Sequence, residues 1–132
     1  MRHAVATLIA LIVVVTSGAA VAAADPAEVI MEQLDALERR DLRAAYELTS
    51  TGFRRGHHPV SLARMVHRKY PEIATSVAAL VLDQFQRSDG WYVRLRVTGA
   101  NGKTVEALYR LVLEEGAWRV DGVETRAAPD LM

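Results

Sequence analysis

Residues 91–120 read WYVRLRVTGANGKTVEALYRLVLEEGAWRV. Trp91, Val93, Leu95 and Val97 alternate with Tyr92, Arg94, Arg96 and Thr98. A period of two belongs to a strand, with one set of side chains on a buried face and the other on a polar face. Gly99-Ala100-Asn101-Gly102 turns the chain. Val105, Ala107, Tyr109, Leu111 and Leu113 then alternate with Thr104, Glu106, Leu108, Arg110 and Val112. Glu115-Gly116 is the next turn, and Trp118 and Val120 mark a last strand in which Gly122 is expected to seat a bulge. These are antiparallel strands joined by tight hairpins.

Upstream, Val77 to Phe85 is an apolar strand that ends at the hairpin signal Ser88-Asp89-Gly90. Before Pro71 the period changes to that of helices. Asp25-Pro26-Ala27-Glu28 carries a cap, a first-turn proline and the acid of a capping box. Ala27, Ile30, Leu34 and Leu37 follow at helical spacing. Asp41 opens a second helix with Leu42, Ala45 and Tyr46 on one side, and Ser50-Thr51-Gly52 is expected to end it. Phe53 to His58 reads as a loop or a short extended piece. Pro59 opens a third helix, with Leu62, Met65 and Val66 inward, and Tyr70-Pro71 closes it because a residue before proline avoids helical backbone. Helices followed by a four-stranded meander make an α+β domain. The amphipathic helices must cover one face of the curved sheet, giving a cone with a pocket at its mouth.

Residues 1–24, MRHAVATLIALIVVVTSGAAVAAA, have the basic start, apolar run and small-residue cleavage site of a secretory signal peptide. The competing reading is a retained membrane anchor, since 4–24 is an uncharged stretch long enough to span a bilayer of ~30 Å. Its second half is weakly apolar, which favours cleavage after Ala24. The expected organisation is a leader at 1–24, a domain at 25–126 and a tail at 127–132, in a periplasmic or secreted protein with no stable membrane anchor after cleavage. Cleavage takes one basic residue, Arg2, from the 16 and no acid from the 16, which leaves the domain one negative charge. That balance argues against a nucleic-acid partner, which calls for a basic excess. With no cysteine in the chain, a disulfide scaffold, a thiol nucleophile, a cysteine zinc site and a lipid-attachment cysteine are excluded.

Several motifs together resemble the family called domain of unknown function 4864. They are Ile30-x-x-Gln33-Leu34-x-Ala36, Asp41-x-x-Ala44-Ala45-Tyr46, Met65-Val66-x-x-x-Tyr70-Pro71, Val97-Thr98 ahead of Asn101-Gly102, Ala107-Leu108-Tyr109, and Gly116-Ala117-Trp118-Arg119-Val120-x-Gly122-Val123. They run across nearly all of 27–126. The resemblance implies the NTF2-like cone fold, also described as SnoaL-like or cystatin-like, and brings no activity with it. One departure stands before the third helix. There the family tends to carry an acidic stretch with a phenylalanine, and this chain has Arg54-Arg55-Gly56-His57-His58.

Enzymes with this cone use an Asp, Tyr or His on its inner wall as acid or base. The inner wall expected here is mostly apolar, so Trp91, Val93, Leu95, Leu111 and Trp118, with Tyr70 and Tyr109, are the candidate pocket lining. Asp83, Tyr109 and Tyr46 are the candidate catalytic groups. Asp83 shares a face with Val81 and Phe85 in a regular strand, and it becomes a base only if that face is the pocket wall. The basic stretch with Arg54, Arg55, Arg64 and Arg68 is a candidate anion or partner patch, or a solvated face. His57, His58 and His67 lack the spacing of a metal site, and neither metal nor cofactor is expected. Two readings compete. One is a non-enzymatic domain that binds a small apolar ligand in the cone, or a protein partner or a second copy through the sheet face. The other is a small isomerase or dehydratase with an Asp/Tyr pair in the cone.

Overall fold

A computed structural model describes residues 25–129. The expected leader at 1–24 and residues 130–132 of the expected tail lie outside the described residues. Five helices precede four strands: α1 (Pro26–Glu38), α2 (Leu42–Glu47), α3 (Thr51–Arg54), α4 (Pro59–Lys69), α5 (Pro71–Ala74), β1 (Ser76–Arg87), β2 (Gly90–Gly99), β3 (Thr104–Glu114) and β4 (Ala117–Ala127). The strands form one antiparallel sheet in the order β1-β2-β3-β4.

The start of α1 is held as its sequence predicts. The Asp25 carboxylate accepts from the Ala27 amide at 3.1 Å, and the Glu28 carboxylate accepts from the Asp25 amide at 3.3 Å. These bonds satisfy amides that a helix start leaves without partners. The helix lays Ala27, Ile30 and Leu34 against Val93, Leu95, Val97, Ala107 and Leu111 of the inner sheet face. Ile30 is wholly buried, and burial of such a side chain contributes about 1.5–3 kcal/mol.

Two segments differ from the sequence reading. Ser50 does not end a helix; its hydroxyl accepts from the Phe53 amide at 3.0 Å and so caps the one-turn α3, where a loop was expected. After Tyr70-Pro71 the chain makes one more turn, α5, before β1. This turn sits against β2 because Gly99 has no side chain: a Cβ there would lie 2.8 Å from the Glu72 Cα. Asn101 Nδ2 donates to the Glu72 carboxylate at 3.0 Å, and the Ala100 amide donates to the Thr75 carbonyl at 2.8 Å.

Bulges bend the sheet. One lies between Val81 and Asp83 on β1, and another leaves Asp121 as the extra residue on β4, beside the Gly122 expected to seat it. A bulge bends its strand and increases the local twist. The β3–β4 turn, Glu115-Gly116, has φ of 53° and 82°. Both positive values are what a tight hairpin needs, and glycine takes one of them freely.

Candidate ligand-binding site

The inner face of the sheet is covered by α1 at one end and by α2, α3 and α4 at the other. A cavity of about 30 Å³ remains under the second group. Its floor is Tyr109 of β3 with Val120 and Val123 of β4. Its walls come from Gln33 and Leu37 of α1, Ala45 and Tyr46 of α2, Phe53 of α3, Leu62 and Val66 of α4, and Tyr70 and Ile73. Short contacts tie this helical cover to β4. The Ser50 amide donates to the Val120 carbonyl, and the Val120 amide to the Leu48 carbonyl, both at 2.8 Å. The Ser50 hydroxyl also donates to Asp121 Oδ1 at 2.5 Å. Asp121, displaced from the regular strand by the bulge, is ion-paired with Arg110 as well.

The polar groups on the lining differ in one respect. Tyr46 Oη donates to the His57 carbonyl at 2.8 Å, and Tyr70 Oη donates to the Val123 carbonyl at 3.1 Å. Gln33 Nε2 donates to the Ala45 carbonyl at 3.0 Å, and Thr49 Oγ1 to the Tyr46 carbonyl. The Tyr109 hydroxyl has no hydrogen-bond partner, although the residue is only 1% exposed. Burial pushes its phenol well above the ordinary tyrosine value. Tyr109 therefore stays protonated across the working range of pH and is a hydrogen-bond donor, not a base. Leaving such a group unpaired costs about 1–3 kcal/mol.

Leu37, Leu42 and Ala63 line both this cavity and an open groove of about 690 Å³ on the surface. The groove runs between the end of α1, the α4 face that carries Val60, Ala63, Arg64 and His67, and the chain from Ala74 to Val77.

The structure rearranges the residues singled out in the sequence. Tyr46, Tyr70 and Tyr109 come together on the cavity. Val93, Leu95 and Leu111 do not line it; they lie in the solid core under α1 with Ile30 and Leu34. Trp91 and Trp118 pack on one another, with ring centres 6.0 Å apart, and Trp91 Nε1 donates to Gln84 Oε1. Asp83 does not share the face of Val81. Val81 pairs with buried Leu95, but after the bulge Asp83 pairs with Arg94 and Phe85 with Tyr92 on the outer face. There Asp83 accepts from Arg94 Nε at 3.1 Å. Among the described residues no carboxylate or imidazole lines the cavity.

The basic stretch is divided. Arg54 stacks on the Tyr46 ring, 5.3 Å from its centre, and lines a shallow hollow with Thr51, Glu114, Glu115 and Arg119. Arg64 stands on the groove, and Arg55 and Arg68 are exposed elsewhere. His57 and His58 sit at the start of α4. His58 Nδ1 accepts from the Ser61 amide, and Ser61 Oγ accepts from the His58 amide. Among the described residues no three His, Asp or Glu side chains stand together as a metal site.

Gln33, Leu62, Val66 and Ile73 were not among the pocket residues expected from sequence. Gln33 carried a signal: it interrupts the apolar stripe of α1 between Ile30 and Leu37.

Comparison with known proteins follows from this geometry. Residues 20–132 match the family described as domain of unknown function (DUF4864), and the chain belongs to that family. A solved structure to which it is similar is an NTF2-like protein of unknown function from Cytophaga hutchinsonii ATCC 33406. The two are 18% identical, with 80% of this chain and 91% of that one covered, and a TM-score of 0.47. No curated protein matches the chain.

Proposed function

We propose that this member of the domain of unknown function 4864 family binds a small, largely apolar ligand in its cone, and that the Tyr109 hydroxyl donates to one acceptor atom on it. The observation that carries this reading is the buried Tyr109 hydroxyl without a partner, on a cavity whose other polar side chains are all hydrogen-bonded. Ligand sites are apolar concavities with a few polar groups that fix orientation. The cavity is smaller than the ~300–1,000 Å³ of such sites, and a ligand that parts Leu37, Leu42 and Ala63 would gain the space of the groove they also line. The cover is suited to give way, since α4 packs chiefly on α2 and α5 and not on the sheet.

The isomerase or dehydratase reading needs an acid–base pair at the ligand. Tyr109 is held protonated by burial, and Asp83 faces away on the outer surface. Ligand binding therefore accounts for more of the site than proton transfer does. Calorimetric titration with 1-decanol, an apolar chain ending in one hydroxyl, tests it. Saturable binding that weakens about tenfold in Tyr109→Phe supports the reading, and binding that ignores the substitution counts against it.

A second reading concerns the outer sheet face, where two copies would pair. Arg96 Nε is buried there without a partner, and Leu80, paired with Arg96 across the strands, is 59% exposed. Sedimentation of the wild type and of Arg96→Glu tests this. A dimer that Arg96→Glu dissociates supports it, and a wild-type monomer at high concentration removes it.

A further inference from the structure

The groove outside the cavity has its own chemistry. Its floor is apolar, and it is flanked by Val60 and Val77, which are 49% and 65% exposed. Its cations are Arg40 and Arg64 against one acid, Glu38, and His67 also lines it. Among the described residues none of these four makes an ion pair. An apolar trough with two permanent cations at its edge complements a molecule with an apolar body and an anionic head.

Arg40 adds an independent observation. It closes α1 in a left-handed conformation, with φ of 62°. The Asp41 amide donates to the Ala36 carbonyl and the Arg40 amide to the Leu37 carbonyl, the pattern of a helix stop whose turning residue is usually glycine. An L side chain is disfavoured there, and the two bonds of the helix stop hold it in place. Here the strained backbone carries a guanidinium on the groove.

We infer that the groove receives a single-chain anionic amphiphile with an oxygen at its far end, such as an ω-hydroxy fatty carboxylate. Its head lies on Arg40 and Arg64, and its chain passes Leu37, Leu42 and Ala63 to bring the far oxygen to the Tyr109 hydroxyl. This rests on the cavity being a ligand site and adds the ligand's class and its polarity. The charges act as a guanidinium pair for a carboxylate, and the tail takes the apolar space.

The test is calorimetric titration of the domain with 10-hydroxydecanoate and with 1-decanol, which share the hydroxyl and differ in the carboxylate, both below their micelle concentrations. The hydroxy acid is expected to bind at least about tenfold more tightly at low salt, a gap that narrows at high salt. Arg64→Gln and Arg40→Gly are each expected to narrow it about three- to tenfold. Arg40→Gly also relieves the left-handed backbone, so its melting temperature should not fall, which separates lost binding from lost fold. Equal affinity for acid and alcohol overturns the anionic head and leaves the cavity reading standing. No binding of either overturns both. Tight binding of an acidic amphipathic peptide with no response to 10-hydroxydecanoate overturns the inference in favour of a protein partner.

Discussion

Tyr109 shows how one residue can be in the wrong place for stability and the right place for recognition. It belongs to the inward set of β3, where its neighbours Ala107 and Leu111 are wholly buried. Its ring fits that face, but its hydroxyl meets no acceptor. Removing the hydroxyl removes a desolvated donor and leaves the packing intact. Tyr109→Phe is therefore expected to leave the stability of the ligand-free domain unchanged or raise it by about 1 kcal/mol, read from urea unfolding. A loss of 2 kcal/mol or more would mean that the hydroxyl has a partner in the folded domain. Asp83 makes the opposite case. It is more than half exposed, and its bond to Arg94 lies on the surface. Asp83→Ala should cost less than about 1 kcal/mol by the same measurement. The tyrosine was legible in the sequence as the one polar side chain on an apolar strand face. The role open to Asp83 was not, because it depends on which side of a bulge the residue falls.

At the scale of elements, alternation and capping signals identified α1, α2, α4 and all four strands. They failed where a single turn of helix is made by contacts distant in sequence. α3 exists because Ser50 is held between the Phe53 amide and the Asp121 carboxylate, and Asp121 is 71 residues away. α5 exists because Gly99 and Asn101 receive it. Neither cause appears in a local window of sequence. The Ser50 link joins the cover of the cavity to its floor. Ser50→Ala removes a helix cap and one partner of the partly buried Asp121 together, with an expected cost of about 2 kcal/mol in unfolding free energy. It should also speed hydrogen exchange in α3 ahead of the sheet. Equal change across the sheet would show that α3 is not a separately held piece.

The whole molecule joins segments far apart in the chain into one apolar space. Leu37, Ala63 and Val77 share the groove, and Gln33, Val66 and Tyr109 share the cavity. The α+β order was legible because helical and strand periods occupy separate halves of the sequence. The position of the cavity was not, because α1 fills the part of the cone over Val93, Leu95 and Leu111 and leaves space only under α2 to α4. A ligand-binding domain behind a secretory leader would act outside the cytoplasm. N-terminal sequencing of the protein from an exporting bacterium should then begin at or next to Asp25, and a start at Met1 would contradict the export reading. The central claim is that the cone holds a ligand through Tyr109, and native mass spectrometry of the protein from that host tests it most directly. The account predicts a non-covalent adduct on the wild type that is lost or strongly reduced in Tyr109→Phe. A bare mass for both proteins under gentle ionisation, with no uptake of 1-decanol or 10-hydroxydecanoate, would contradict it.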